Sequence, residues 1–229
     1  MPRVGRIVIP GCAHHVTQRG NNRQDVFFVR DDYRTYLAML GEQSRRYGLD
    51  VHAYCLMTNH VHLVGTPRSG QSLAKAVGRT HWLYTQTINR LHGRSGHLWQ
   101  NRFYSCALDG DHYWAAIRYV ERNPVRARLH RKAWVYPWSS AAAHVAKTGL
   151  LDLREWGRVW TGEEWAAELM RGDDAEFVGR LRSQTGRGRP LGTDSFLSKV
   201  EKLLGRRVRP LPVGRPRKRK RNRKKKAQK

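Results

Sequence analysis

Only two residues, Thr58 and Asn59, separate the apolar run 51–57 from the run 60–66. A connection that short leaves room for nothing but a tight turn, so the two runs are expected to be the arms of an antiparallel hairpin. Side chains alternate along a strand. His60 and His62 then share one face while Val61 and Leu63 enter the core on the other. Two neutral imidazoles side by side on a strand are either half of a metal site or a hydrogen-bonded pair on a half-exposed sheet. The metal alternative needs a third ligand and a reacting group.

The flanking patterns supply the rest of a sheet. Residues 13–19 read as a strand closed by the turn Gly20-Asn21-Asn22, and 104–108 as a fourth strand. Between them, 31–47 has helical spacing, with Asp31 or Asp32 as N-cap and Gly48 as stop. Residues 72–91 form a longer helix with Leu73, Val77, Leu83, Tyr84 and Ile88 as core positions. Asp109-Gly110-Asp111 turns the chain into a further helix that ends at Arg122, because the residue before Pro124 avoids the helical region. The order β-α-β-β-α-β predicts an α+β ferredoxin-like (RRM-like) sandwich. Its antiparallel sheet has helices on one face, and the open face carries His60 and His62.

Four units are expected along the chain. Residues 1–130 form the catalytic domain, and 131–185, with Trp138, Trp156, Trp160 and Trp165, a helical cover packed on it. Residues 186–205 hold a linker (186–192) and a short helix capped by Thr193 or Asp194, with Phe196, Val200 and Leu203 as its apolar stripe. Residues 206–229 have too few apolar side chains to fold unaided.

Charge narrows the partners. The chain carries 44 Lys+Arg against 18 Asp+Glu, a net +26, of which fourteen cations stand in 206–229; +12 remains on the body. That balance favours a polyanion, with nucleic acid the default. An anionic membrane surface fits less well, since no apolar stripe accompanies the basic stretch. No run is long enough to span a bilayer, and Ile7-Val8-Ile9 is broken at Pro10, so a secretory signal is not expected. Cys12, Cys55 and Cys106 suggest buried thiols in a reducing compartment, not a disulfide framework. The expected location is cytoplasmic and nucleoid-associated. Within the tail, Val213-Gly214-Arg215-Pro216-Arg217-Lys218 resembles an AT-hook core, with Arg215 and Arg217 in the minor groove of A·T-rich duplex. The plainer reading is salt-sensitive phosphate affinity.

The helix starting near Asp111 offers the reacting group. Tyr113, Ile117 and Val120 fall on one stripe, while Tyr119 lies off it and Asn123 follows Tyr119 one turn later. The Asn123 oxygen can complete a two-histidine, one-oxygen site, a mixed set suited to Mg²⁺ or Mn²⁺. Such a metal would polarise a phosphodiester for attack by the Tyr119 phenolate, with Arg118 and Arg122 as charge clamps and Arg19 on the nucleic acid. Against this, Tyr119 can be an ordinary amphipathic tyrosine and Asn123 a helix-ending residue; Tyr113 and Tyr104 are rival nucleophiles. Trp82, Tyr84 and Trp99 can stack on unpaired bases, though aromatics at helical spacing usually belong to a core.

Several stretches together carry a resemblance. His14-His15-Val16-Thr17-Gln18-Arg19-Gly20-Asn21, Ala53 through Leu63, Gly96-His97-Leu98-Trp99-Gln100-Asn101-Arg102-Phe103, Arg118-Tyr119, Asn123-Pro124-Val125-Arg126-Ala127 and Trp138-Ser139-Ser140 resemble the REP-associated tyrosine transposases. These are a branch of the HUH single-strand endonucleases. The resemblance spans about residues 1–145, with an echo at Gly188-Arg189-Pro190-Leu191-Gly192, and departs from the family at Thr58, where proline is frequent. It implies His60 and His62 as metal ligands, Asn123 as third ligand and Tyr119 as the nucleophile that forms a 5′-phosphotyrosine and frees a 3′-OH. The implied substrate is single-stranded DNA with a foldback hairpin. The long C-terminal cover, for its part, favours a monomer over a homodimer. Two alternatives stand beside it: a non-catalytic single-strand or hairpin-binding regulator on the same fold, and a rolling-circle initiator or relaxase.

Overall fold

The computed structural model describes residues 5–146 and 159–210. Four strands, β1 (His14–Arg19), β2 (Leu49–Met57), β3 (His60–Pro67) and β4 (Tyr104–Ala107), form one antiparallel sheet in the order β2-β3-β1-β4. The two-residue connection 58–59 pairs Met57 with His60 directly. Helix α1 (Arg30–Tyr47) joins β1 to β2 and α2 (Ser72–Leu91) joins β3 to β4, giving the ferredoxin-like α+β sandwich. Gly48 ends α1 at φ +66°, a left-handed conformation that a side chain would strain. The start of α1 departs from expectation. Val29 is the N-cap, and Asp32 sits inside the first turn, its Oδ2 accepting from the N–H groups of Phe28 and Val29.

One sheet face presents Val16, Val61 and Leu63 to α1 and α2, in a core that includes Tyr36, Leu40, Leu73, Val77 and Ile88. Each such fully buried aliphatic side chain contributes about 1.5–3 kcal/mol. Tyr84 and Trp99 belong to this core, and the Tyr84 hydroxyl donates to the Val26 carbonyl at 2.6 Å. Trp82 alone of the three aromatics is exposed, with the Arg79 guanidinium 4.1 Å over its ring.

The second face differs from expectation: it is not open. Helix α3 (Gly110–Glu121) lies against β2 and β3, and α7 (Ala175–Arg187) against β4 and β1. With α5 (Ala141–Ala146) and α6 (Gly162–Met170) they bury Ala53, Cys55, Val64, Ile117, Val120 and Trp165 in a second core. The physical reason lies in the extension, whose apolar stripes find no other surface to cover. Trp156 lies outside the described residues.

Asp109 caps α3, its Oδ1 accepting from the His112 N–H at 3.0 Å. After Arg122 the chain makes a second short turn, α4 (Asn123–Arg126), in which Pro124 occupies an early position that needs no N–H. The stretch expected as a linker is packed: Leu191 is buried, and its N–H donates to the Ala107 carbonyl at 2.8 Å. Helix α8 (Asp194–Leu204), capped by Thr193, docks Val200, Phe196, Leu197 and Leu204 near Ile7, Ile9 and Val208. Leu203 points away and is exposed. Cys12, Cys55 and Cys106 are free thiols, the last two buried. Among the described residues no helix is long and apolar enough to cross a membrane.

Candidate active site

Pairing of β1 with β3 sets Thr17 opposite His62 and Arg19 opposite His60. His15, Thr17, Arg19, His60 and His62 therefore line the face that α3 and α7 cover. His60 and His62 meet edge to face, ring centroids 5.1 Å apart. Tyr119 stands edge-on to His62 at 5.6 Å and to His15 at 5.6 Å. The structure thus brings His60, His62 and Tyr119 together. Tyr119 is 4% exposed: off the stripe of Tyr113, Ile117 and Val120, it is enclosed by His15 and His62 on the sheet and by Arg182 of α7. Tyr113 packs instead against His52 and Trp114, and Tyr104 is exposed in β4.

Hydrogen bonds fix both histidine rings. The Asn59 Nδ2 donates to the Arg23 carbonyl at 3.0 Å, so its Oδ1 must accept from His60 Nδ1–H at 2.7 Å. His60 Nε2 is then left with a lone pair. His62 Nδ1 is 2.9 Å from His15 Nε2, and His15 Nδ1 is 2.8 Å from the Thr185 hydroxyl. Burial holds all three imidazoles neutral. It pushes His60 down to about 4 and His15 to about 3, and His62 well below its usual range, helped by Arg19 and Arg126 at His60 and by Arg126 at His15. Neutral imidazole is the form that ligates metals. Beside them, burial pushes the Cys106 thiol up to about 12, and its Sγ is 3.5 Å from the Ala107 carbonyl.

Asn123 is buried on the helical path one turn past Tyr119, and its Nδ2 has no hydrogen-bond partner. Since the two ends of an amide are assigned from their partners, that orphaned position suits the oxygen facing a ligand. Two histidines with free Nε2 atoms and one unpartnered amide fit a hard divalent ion. Among the described residues, no group of three or more His, Cys, Asp or Glu side chains is arranged to hold a metal, so any site here rests on two histidines and a neutral oxygen.

The arginines divide unexpectedly. Arg118 pairs with Glu168 at 3.3 Å and donates to the carbonyls of Arg171 and Gly172. Arg122 pairs with Asp173 at 3.0 Å and donates to the Leu169 carbonyl. Both fasten α3 to the end of α6. Two arginines that the sequence did not single out stand at the phenol instead. Arg126 lies 4.0 Å over the Tyr119 ring, and Arg182 Nε donates to its hydroxyl at 3.3 Å. The i, i+7 spacing of Tyr119 and Arg126 was a signal for the first; Arg182 gave none. Arg19 is exposed beside His60. Arg215 and Arg217, with the AT-hook-like stretch, lie outside the described residues.

Residues 8–123 match the family model "Transposase IS200 like". The chain belongs to that family. Its members are transposases, enzymes that nick DNA and transfer strands. Among solved structures, a REP-associated tyrosine transposase bound to a REP hairpin aligns at 19% identity and TM-score 0.52, covering 67% of this chain and 93% of the other. A candidate transposase from Deinococcus radiodurans R1 aligns at 19% identity over 56% of this chain and 92% of its own, with TM-score 0.37. The first likeness concerns the fold, and the second is too loose to bear on it. No curated protein matches the sequence.

Proposed function

We propose that this IS200-like transposase nicks and rejoins single-stranded DNA beside a foldback hairpin through a 5′-phosphotyrosine on Tyr119. The observation that carries the reading is the contact of Tyr119 with His62, beside a His60 whose Nε2 is left unprotonated. His60, His62 and the Asn123 oxygen would hold Mg²⁺ or Mn²⁺. When bound, that ion supplies a Lewis acid for the scissile phosphate.

The chain's own residues do the rest. The Tyr119 oxygen bonds to phosphorus as the phosphorus–O3′ bond breaks; the phenol loses one proton and the departing 3′ oxygen gains one. Reversal of the same step by a 3′-OH joins strands. Arg126 and Arg182 stand where charge builds on the phosphate oxygens, and Arg19 lies at the exposed end of the histidine pair, where an incoming strand would pass. The hairpin preference is supported by the description of the REP-bound relative and by the basic body.

A denaturing gel with 5′- and 3′-labelled hairpin-bearing single strands, with and without Mn²⁺, tests this. Wild type should give a metal-dependent nick and a covalent protein–DNA band, both absent in Tyr119→Phe and His60→Ala. An adduct persisting in Tyr119→Phe would move the nucleophile to Tyr113 or Tyr104. Tight hairpin binding with no nick would leave a binding module.

A further inference from the structure

Helix α7 lies wholly beyond the matched stretch 8–123, yet two of its side chains, one turn apart, reach the centre of the site. Arg182 donates to the Tyr119 hydroxyl at 3.3 Å. Thr185 Oγ1 is 2.8 Å from His15 Nδ1, and His15 Nε2 is 2.9 Å from His62 Nδ1. Thr185 and His15 are each 1% exposed and His62 7%, so these atoms must satisfy one another. The His15 and His62 rings lie only 14° from coplanar with centroids 5.2 Å apart, the separation expected when the two nitrogens meet on the line between the ring centres, so the bond lies in the plane of both rings.

We infer that Thr185 and His15 are positioning residues: through them α7 fixes the tautomer and orientation of His62. The two bonds leave two directions for the chain, and the reading of His62 as a ligand selects one of them. A threonine hydroxyl can accept as well as donate, and here Thr185 accepts from His15 Nδ1–H. His15 Nε2 then carries a lone pair and accepts from His62 Nδ1–H. His62 Nε2 is left bare, matching the His60 Nε2 that Asn59 leaves bare on the same face. The opposite direction, with Thr185 donating to His15, would protonate His62 Nε2 and spoil it as a ligand. Partners that fix a ligating histidine in this way commonly alter metal affinity about 10–100-fold when removed.

The inference rests on the reading of His62 as a ligand, so its test includes a readout that needs neither metal nor DNA. Long-range ¹H–¹⁵N spectra of the full, metal-free chain report which imidazole nitrogen carries the proton. His62 should be protonated on Nδ1 in wild type; protonation on Nε2 overturns the relay without any variant being made. In Thr185→Val, which keeps the shape and loses the hydroxyl, the His62 signals should move toward a tautomer mixture. Mn²⁺ affinity by calorimetry should fall at least tenfold, and Thr185→Ser should restore both. A folded Thr185→Val with the wild-type tautomer also overturns it. Wild-type chain that binds no Mn²⁺ would count against the metal reading of the site, while the spectra would still decide the relay.

Discussion

The Asn59 side chain spans two bonds that cannot be exchanged: Nδ2 is committed to the Arg23 carbonyl, so Oδ1 faces the His60 ring. Asn59→Ala should release that ring to adopt either tautomer. The expected outcome is a loss of Mn²⁺ affinity of about 10–100-fold with little change in melting temperature. Calorimetric titration checks it, and unchanged affinity would mean that the ring is held by packing alone. The histidine pair was legible in the sequence because a two-residue turn dictates which side chains share a face. His15 and Arg182 were not, because their contacts join distant parts of the chain and nothing local marks them. Two other histidines answer to pH. His14 Nδ1 donates to the Cys12 carbonyl and its Nε2 accepts from the Ile9 N–H, and His81 is buried against the Tyr36 hydroxyl. Burial pushes them down to about 4 and about 3. The unfolded chain would protonate both near pH 6.5, so it takes up protons that the folded chain refuses. Stability should therefore fall as pH drops below about 6.5 and go on falling toward pH 4, by on the order of 2 kcal/mol for each residue. Guanidinium midpoints at pH 7 and 4.5 test this; equal midpoints would contradict it, and His81→Gln should show a smaller drop.

Helix α3 packs on β2 and β3, and a buried carboxylate near its end fastens it further. Glu121 is fully buried; it accepts from Ser140 Oγ at 2.5 Å and from Trp165 Nε1 at 2.8 Å, and it pairs with His144. One carboxylate thus ties α3 to α5 and α6, two residues from Tyr119. Glu121→Ala would remove the shared acceptor of three buried side chains, Ser140, His144 and Trp165, and a loss of about 3–5 kcal/mol is expected in urea unfolding. Glu121→Gln keeps the shape and one acceptor, so its loss should be smaller; equal losses would show that shape and not hydrogen bonding dominates. Helix boundaries were largely legible: 72–91 follows from its apolar spacing, and α3 begins beside its Asp109 cap and stops before Pro124. The roles of Arg118 and Arg122 were not legible. A basic residue beside a tyrosine reads the same whether its partner is a phosphate or a carboxylate, and Glu168 and Asp173 come from the extension. The covered sheet face escaped for the same reason, since the β-α-β-β-α-β order says nothing of what a later segment will pack against.

At the scale of the molecule, charge and packing separate along the chain. The described body has its cores closed by residue 208, where Val208 packs with Ile7, Ile9 and Val200. Beyond residue 210 the sequence adds eleven Lys and Arg and no acid. Such a segment can raise affinity for any polyanion without touching the histidines or Tyr119. Removing 211–229 should therefore weaken binding to unrelated and hairpin-bearing single strands alike. The dependence of log Kobs on log salt should become shallower by about 0.7 for each phosphate that the tail had neutralised. The position of the nick, set by the body, should stay where it is. Fluorescence anisotropy across a salt series, run beside a sequencing gel of the nicked strand, measures both. A second result would point to groove reading by Arg215 and Arg217. If A·T-rich duplex competes for the full chain far better than G·C-rich duplex, and the truncated chain loses that difference, the tail reads the minor groove. Equal competition by both duplexes leaves it a phosphate anchor, and an unchanged salt slope would place the phosphate-binding cations on the body, whose remaining charge of +15 is enough to supply them.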